Sequence, residues 1–289
     1  MKYAYVGSLR GQHAIHKMCA WLSVSQSGYY MWRKRKPIEQ TLRPEQVRQA
    51  VILVFEQFKK RYGEPRIRVE LNEKGIPCSI NHVAKLMAES GLKARNDKHF
   101  KFYPSGNAIN HVSDNLLGRN FSASAPNEKW VSNITYIKLE RGFVYLAVIM
   151  DLFFTSDHCW ALDTSITTEL IIEAFEMAKA CRNVKPRLIL HSDRGVQYCS
   201  SENQGQLYEQ GIRPSMSRKG NCWDNAAVES FFARMKAESI YAEKFLNKDD
   251  AYACVFESIE LFYNSVRRHS AIDYKSPRQF EEDYYAQCA

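Results

Sequence analysis

Asp193 closes the apolar run RLILHSD, and Glu229 follows 36 residues later in DNAAVESFFARMKAE, a stretch with helical spacing. An acid at the end of a buried strand and another on a helix can meet at one edge of a sheet, and hard divalent cations such as magnesium prefer carboxylate oxygens. The chemistry open to such a pair is displacement at phosphorus, where two ions about 3.5–4 Å apart activate the attacking oxygen and stabilise the leaving one. Three acids from separate elements bracket two ions best. A segment with strand character nearby, WVSNITYI, carries the amide Asn133.

Several neighbours could serve such a site. His191, two positions before Asp193, reads as an orienting hydrogen-bond partner rather than a ligand. Arg194 and Lys219 are candidates for phosphate contact, while Gly195 and Gly220 solve backbone problems. Lys236 lies seven residues after Glu229 and is better placed than Arg234 to share its helical face. Asp224 or Asn225 caps that helix, whose Ala226, Phe232 and Met235 pack inward. Trp223 either stacks on a displaced base or packs in a core or hinge. Asp151 either replaces a missing carboxylate or, as its setting favours, is a structural acid.

The elements that must position these residues read as α/β from Trp130 onward. NITYIKL, FVYLAVIMDLFF and HCWALDTS are strand-like, ITTELIIEAFEMAKAC is helical, and PRLILHSD is a further buried strand. The order implies a mixed sheet covered by helices, with Asp193 at a strand's C-terminal end. FESIELFYNSVRRHSAI reads as a closing amphipathic helix with a basic end at Arg267 and Arg268.

The 289 residues suffice for one substantial core and one or two small modules. The net charge of +8 is unevenly spread: residues 1–120 hold an excess of 12 positive charges and 121–289 an excess of 4 negative ones. A basic front suits a polyanion's backbone, and a solvated basic surface is the plainer alternative. In that front, Ile15, Met18, Cys19 and Leu22 make one helical stripe and SGYYMWRKRK another. This is a helix-turn-helix with Ser25 or Ser27 as cap and Arg33, Lys34, Arg35 and Lys36 near phosphate, or else a packed helical hairpin.

Val47, Val51, Val54, Phe55 and Phe58 begin a second helical module, which ends in a helix capped at Ser79 and stopped at Gly91. Asn81, His82, Lys85 and Arg95 offer polar or basic groups to a groove, or simply solvate a surface. The stretch up to 128 loses periodicity and reads as a basic linker, letting front and rear orient independently. Eight widely spaced cysteines include no CxxC pair, and no secretory leader or membrane-spanning run is evident, so reduced thiols in a cytoplasmic, DNA-associated protein are expected.

The wider pattern resembles the second-frame protein (OrfB) of an IS-three-family insertion-sequence transposase. The resemblance is carried in order by MCAWLSVSQSGYYMWRKR, INHVAKLMAESGLKAR, WVSNITYI, YLAVIMDLF, LILHSDRGVQYCS, GIRPSMSRKGNCWDNAAVESFFARMKAE and FYNSVRRHSAIDYKSPRQF. It covers most of the chain. TSDHCW departs from the family pattern, which is more basic there, so Asp157 and His158 are poor ligand candidates.

The resemblance implies an α/β, RNase H-like integrase core of the DDE type at 129–283. Before it stand a helix-turn-helix-like module at 1–40, a second helical DNA-binding module at 44–97 and a basic linker at 98–128. It implies that Asp193 and Glu229 are the second and third metal-binding acids, and that Asn133 stands where the family carries the first. A neutral amide bridges two cations poorly, so impaired catalysis with Mg2+, or Mn2+ in its place, is expected. The alternative is an inactive or repurposed DNA-binding relative. The implied partners are double-stranded DNA at transposon terminal inverted repeats, target DNA, further copies of the chain, and an upstream-frame protein or fusion; no membrane is implied. Basic residues implied at the DNA are Arg33 to Lys36, Lys85, Arg95, Arg194, Lys219, Lys236, Arg267 and Arg268.

Overall fold

The computed structural model describes residues 2–34, 38–95, 112–154, 156–182, 184 and 186–288, leaving aside the side chains of 34, 38–43, 156–158 and 222. Its centre is a five-stranded sheet, ordered β3-β2-β1-β4-β5, built from β1 (Lys129–Lys138), β2 (Phe143–Asp151), β3 (Ser156–Asp163), β4 (Ile189–Ser192) and β5 (Arg213–Met216). The first three strands are an antiparallel meander, and β4 and β5 join β1 in parallel, which requires the intervening helices α7 (Thr168–Cys181) and α8 (Ser201–Glu209).

The continuous apolar run of β2 reflects burial on both faces. Val144, Leu146, Val148 and Met150 point to one side, where they meet α9 (Ala226–Glu238) and α10 (Lys248–Phe256). Ala147 and Ile149 alternate to the other, against α7 and α8. The same alternation on β1 sends Trp130 to the α7 side and Val131 to the α9 side. Beyond α10 the helix widens into π-helical turns over Glu257–Asn264, and α11 (Pro277–Cys288) follows.

The front is helical, as expected. Helices α1 (Lys2–Ser8), α2 (Ile15–Trp21) and α3 (Gln26–Lys34) share a small core of Val6, Met18, Cys19 and Tyr29, and Ser25 caps α3 by accepting the Gly28 N–H at 3.1 Å. Helices α4 (Ile38–Gln57), α5 (Glu64–Glu73) and α6 (Ile80–Glu89) form the second module, with Ser79 accepting the His82 N–H and Gly91 left-handed at φ +66°.

The structure corrects the expectation of a free linker in its described part. Leu117 is buried in the main core, and the N–H groups of Leu116 and Leu117 donate to Ser215 Oγ on β5; residues 98–111 lie outside the described residues. The second module is also fastened to the rear. Arg61 pairs with Glu257 at 2.8 Å, Arg268 pairs with Glu70, and Phe262 completes the α4–α6 core. Independent orientation of these two parts is therefore not what the chain builds.

Candidate active site

Strand register brings the first two positions together. Val131 pairs with His191 between parallel β1 and β4, so Asn133 on β1 and Asp193, one residue past the end of β4, each follow two residues after that pair, and paired strands run about 4.8 Å apart. Asn133 has the same parity on β1 as Val131, which packs on the α9 side of the sheet. Helix α9 is anchored there by Asn225, whose Nδ2 donates to the Ser132 carbonyl at 3.4 Å. Glu229 lies one turn further along and is half-buried, as is Asp193.

Electrostatics carries the same message. Burial raises the Asp193 carboxyl above its usual range, partly offset by the Gly195 N–H that donates to Oδ1 at 2.8 Å. Burial also raises Glu229, and the charge of Asp193 adds to that shift. The Asn133 Oδ1 accepts the N–H of Ile134 at 2.8 Å. Beneath the site, Ser132 Oγ and Tyr198 Oη are 2.8 Å apart in the core. Among the described residues, no group of three or more His, Cys, Asp or Glu side chains is placed to hold a metal ion.

Residues 123–222 and 210–277 match two models of the integrase core domain, and residues 43–100 match an HTH-like domain. Transposase InsF for insertion sequence IS3A of Escherichia coli (strain K12) is 40% identical over 287 residues, covering 97% of this chain and 98% of that protein. The chain belongs to the IS3-family transposases of the InsF type. A second relative, an uncharacterized 31 kDa protein of insertion element IS600 from Shigella sonnei, is 36% identical over 272 residues, or 94% of this chain and all of the relative. A solved HTLV-2 integrase catalytic core domain, in complex with magnesium, is 19% identical over 55% of this chain and 99% of its own, with a TM-score of 0.42.

In this chain several basic residues are not where their spacing suggested. Lys236 is only 6% exposed, with Nζ 4.4 Å from the centre of the Tyr136 ring, so its assignment to an open DNA-facing surface is corrected. Arg267 is 1% exposed and forks onto Glu238 at 2.7 and 2.8 Å, which leaves it no free face for phosphate. Arg268 is committed to Glu70 and Glu73, and Arg95 donates to the Glu238 carbonyl at 3.3 Å. Lys219 and Arg33 are exposed, and Lys85 is exposed beside Glu89. Arg194 donates to the Ser217 carbonyl at 2.6 Å close to Asp193. The side chain of Lys34 and all of Arg35 and Lys36 lie outside the described residues.

Two acids have settings that decide their roles in the fold. Asp151 is fully buried, accepts the N–H groups of Asn127 and Phe153, and pairs on the sheet with Trp130, three residues along β1 from Asn133. At about 3.3 Å per residue it sits roughly 10 Å along the sheet from Asn133, too far to stand in for it. Asp224 makes no helix cap. It is fully buried and accepts from Arg218, Arg119 and Asn115. Sequence reading missed this hub, because its partner Arg119 is 105 residues away and an acid before a helix reads as a cap.

His191 is fully buried between Ser215 Oγ at 2.8 Å and Ser217 Oγ at 3.2 Å. Burial pushes its pKa down to about 4, against a smaller opposing pull from Asp224. Trp223 is 68% exposed on the short turn before α9, so it is not a core residue. Cys199 is a buried thiol against Met216, and Cys19, Cys78, Cys159, Cys181, Cys254 and Cys288 are also free. Among the described residues no helix is long and apolar enough to cross a membrane.

Proposed function

We propose that this chain is a DNA transposase for metal-dependent cleavage and strand transfer at insertion-sequence ends, with Asp193, Glu229 and Asn133 as its reacting centre and Asn133 as its weak member. The observation that supports this reading is the convergence of two desolvated carboxylates beside the β1 amide, with Asp193 raising Glu229. Such a pair is unfavourable alone and is relieved by a cation.

The donors fit one divalent ion. They fit two less well, because the amide is neutral and its oxygen already accepts the Ile134 N–H. Asp193 and Glu229 would hold magnesium, or manganese in its place, with Asn133 as a poorer third donor. The ion, when bound, supplies Lewis-acid activation of the phosphodiester. Arg194 and Lys219 would steady the strand at the site, and the helical modules at 1–40 and 44–97 would hold duplex DNA through groups such as Arg33 and Lys85. The substrate class is double-stranded terminal inverted repeats and then target DNA, handled by more than one copy of the chain. A fusion with an upstream-frame protein would add end recognition.

The engaged Asn133 oxygen also favours a second reading: a relative that binds transposon ends without cutting them. The test uses labelled duplexes taken from the DNA that flanks the chain's own reading frame, incubated with Asn133→Asp protein in Mg2+ or Mn2+. Cleaved and joined products that vanish when Asp193→Asn or Glu229→Gln is added to that background support the transposase. Products that survive both changes contradict it.

A further inference from the structure

A cavity of about 720 Å3 lies between the C-terminal end of β1, the start of β2, the last turns of α9 and the stretch Ile240–Leu246. Its size falls within the range of small-molecule sites. Lys236 enters it two helical turns beyond Glu229, roughly 10 Å along α9. The lysine is 6% exposed, and its ammonium meets the face of Tyr136 at 4.4 Å. Burial alone lowers its pKa, to about 8, with no carboxylate contributing.

Among the described residues Lys236 forms no ion pair. The two acids bordering the cavity, Glu140 and Glu243, are matched in number by Lys138 and Lys244, so the buried ammonium is the charge left over. A desolvated cation of this kind is unfavourable until an anion is seated beside it. The remaining walls are flat and apolar: Tyr136, Phe143, Tyr241, Phe245 and Leu246. Phe143 and Leu246 are 45% and 67% exposed, as expected of a rim that an apolar ligand would cover.

We propose that this cavity binds a small aromatic carboxylate, with the acid group on Lys236 and the ring against the aromatic wall. One buried positive charge in an apolar wall matches a monoanion; a dianionic phosphate would leave a second charge uncompensated. The ligand's ring gains offset or edge contacts with the tyrosines and phenylalanines. The site is separate from the Asp193–Glu229 pair, and the proposal does not depend on the reaction assigned to that pair.

The probe is 2-naphthoate, titrated into the full chain by calorimetry, with the neutral 2-naphthamide as its isostere. Saturable one-to-one binding of the acid, at least ~10-fold tighter than the amide, is expected. Lys236→Met, which keeps length and removes charge, should bring the acid down to the affinity of the amide while leaving the thermal melt as high or higher. Leu246→Glu, on the exposed rim, should weaken the acid several-fold more than the amide, and it serves if the lysine variant fails to fold. No saturable binding, equal affinity for acid and amide in the native chain, or acid binding unmoved by the variants overturns the proposal.

Discussion

Arg119 and Asp224 form an ion pair at 2.8 Å that ties the segment preceding β1 to the turn from which α9 starts. Arg218 forks onto both oxygens of the same carboxylate, at 2.7 and 2.8 Å, and the Asn115 amide donates to it as well. Glu229 is five residues beyond this fully buried acid. The clasp therefore sets the start of the helix that delivers Glu229 to the β1–β4 edge. Arg218 above all, then Arg119, holds the Asp224 carboxyl far below the usual carboxylate range. Replacing Asp224 by Asn should destabilise the fold by about 2 kcal/mol, since the arginines are half-exposed and recover hydration. A group with a depressed folded pKa stabilises above its unfolded value and loses that contribution as pH falls through the folded one. Urea melts of native and Asp224→Asn protein should therefore differ by a constant amount down to about pH 4 and draw together only gradually as pH falls further.

The site carboxylates have the opposite sign. Burial raises Asp193 and Glu229, so their neutral forms favour the folded chain, and that stability, full below the unfolded values, is lost as pH rises through the raised ones. Without divalent ions, Asp193→Asn should melt higher than the native chain, by about 2–4 °C per kcal/mol relieved. Mg2+ or Mn2+ should raise the native melting temperature and leave that of Asp193→Asn unmoved. Asn133→Asp should melt lower than native without the ion and gain more from it. Melting curves with and without EDTA check all three.

His191 makes a separate pH signature. Its folded pKa of about 4 lies below the unfolded value near 6.5, so the unfolded chain binds the proton first. Stability should fall as pH drops from about 6.5 towards 4, by at most ~3 kcal/mol, and then level for this group. His269 is held lower still, at about 2, chiefly by burial and then by Arg267, which extends the decline. His191→Gln should flatten the upper part of the curve while costing stability at pH 8; a native curve flat from 8 to 4 would contradict this.

Basic residues near the site divide by burial rather than by sequence spacing. Arg267→Gln removes the partner of buried Glu238 and should cost about 3–5 kcal/mol. Its effect on DNA binding at a temperature where it is folded should be small. Lys219→Ala should do the reverse: an unchanged melt, and a salt slope of DNA binding reduced by about 0.9. Paired melts and salt-titrated binding isotherms separate the two.

Much of this was legible in the sequence because periodicity reports burial. The β2 run, the stripe from Val47 to Phe58 and the Ser79 cap all appear where the residues place them. Short elements escaped: β5 is four residues long and α1 carries a single buried residue, too little for a pattern to register. Long-range pairing escaped as well. Arg267 and Arg268 look like a solvated basic end until Glu238, Glu70 and Glu73 arrive from other elements. Lys236 shares its helical face with Glu229 as the spacing says, but that face is covered where Lys236 sits.

The most direct test of the central claim compares native chain with Asn133→Asp on the same labelled end DNA in Mg2+. An amide at this position removes one negative ligand charge from beside Asp193, and restoring it should raise cleavage on the order of 100-fold. Equal rates in the two proteins would contradict the account, showing that Asn133 does not limit the reaction.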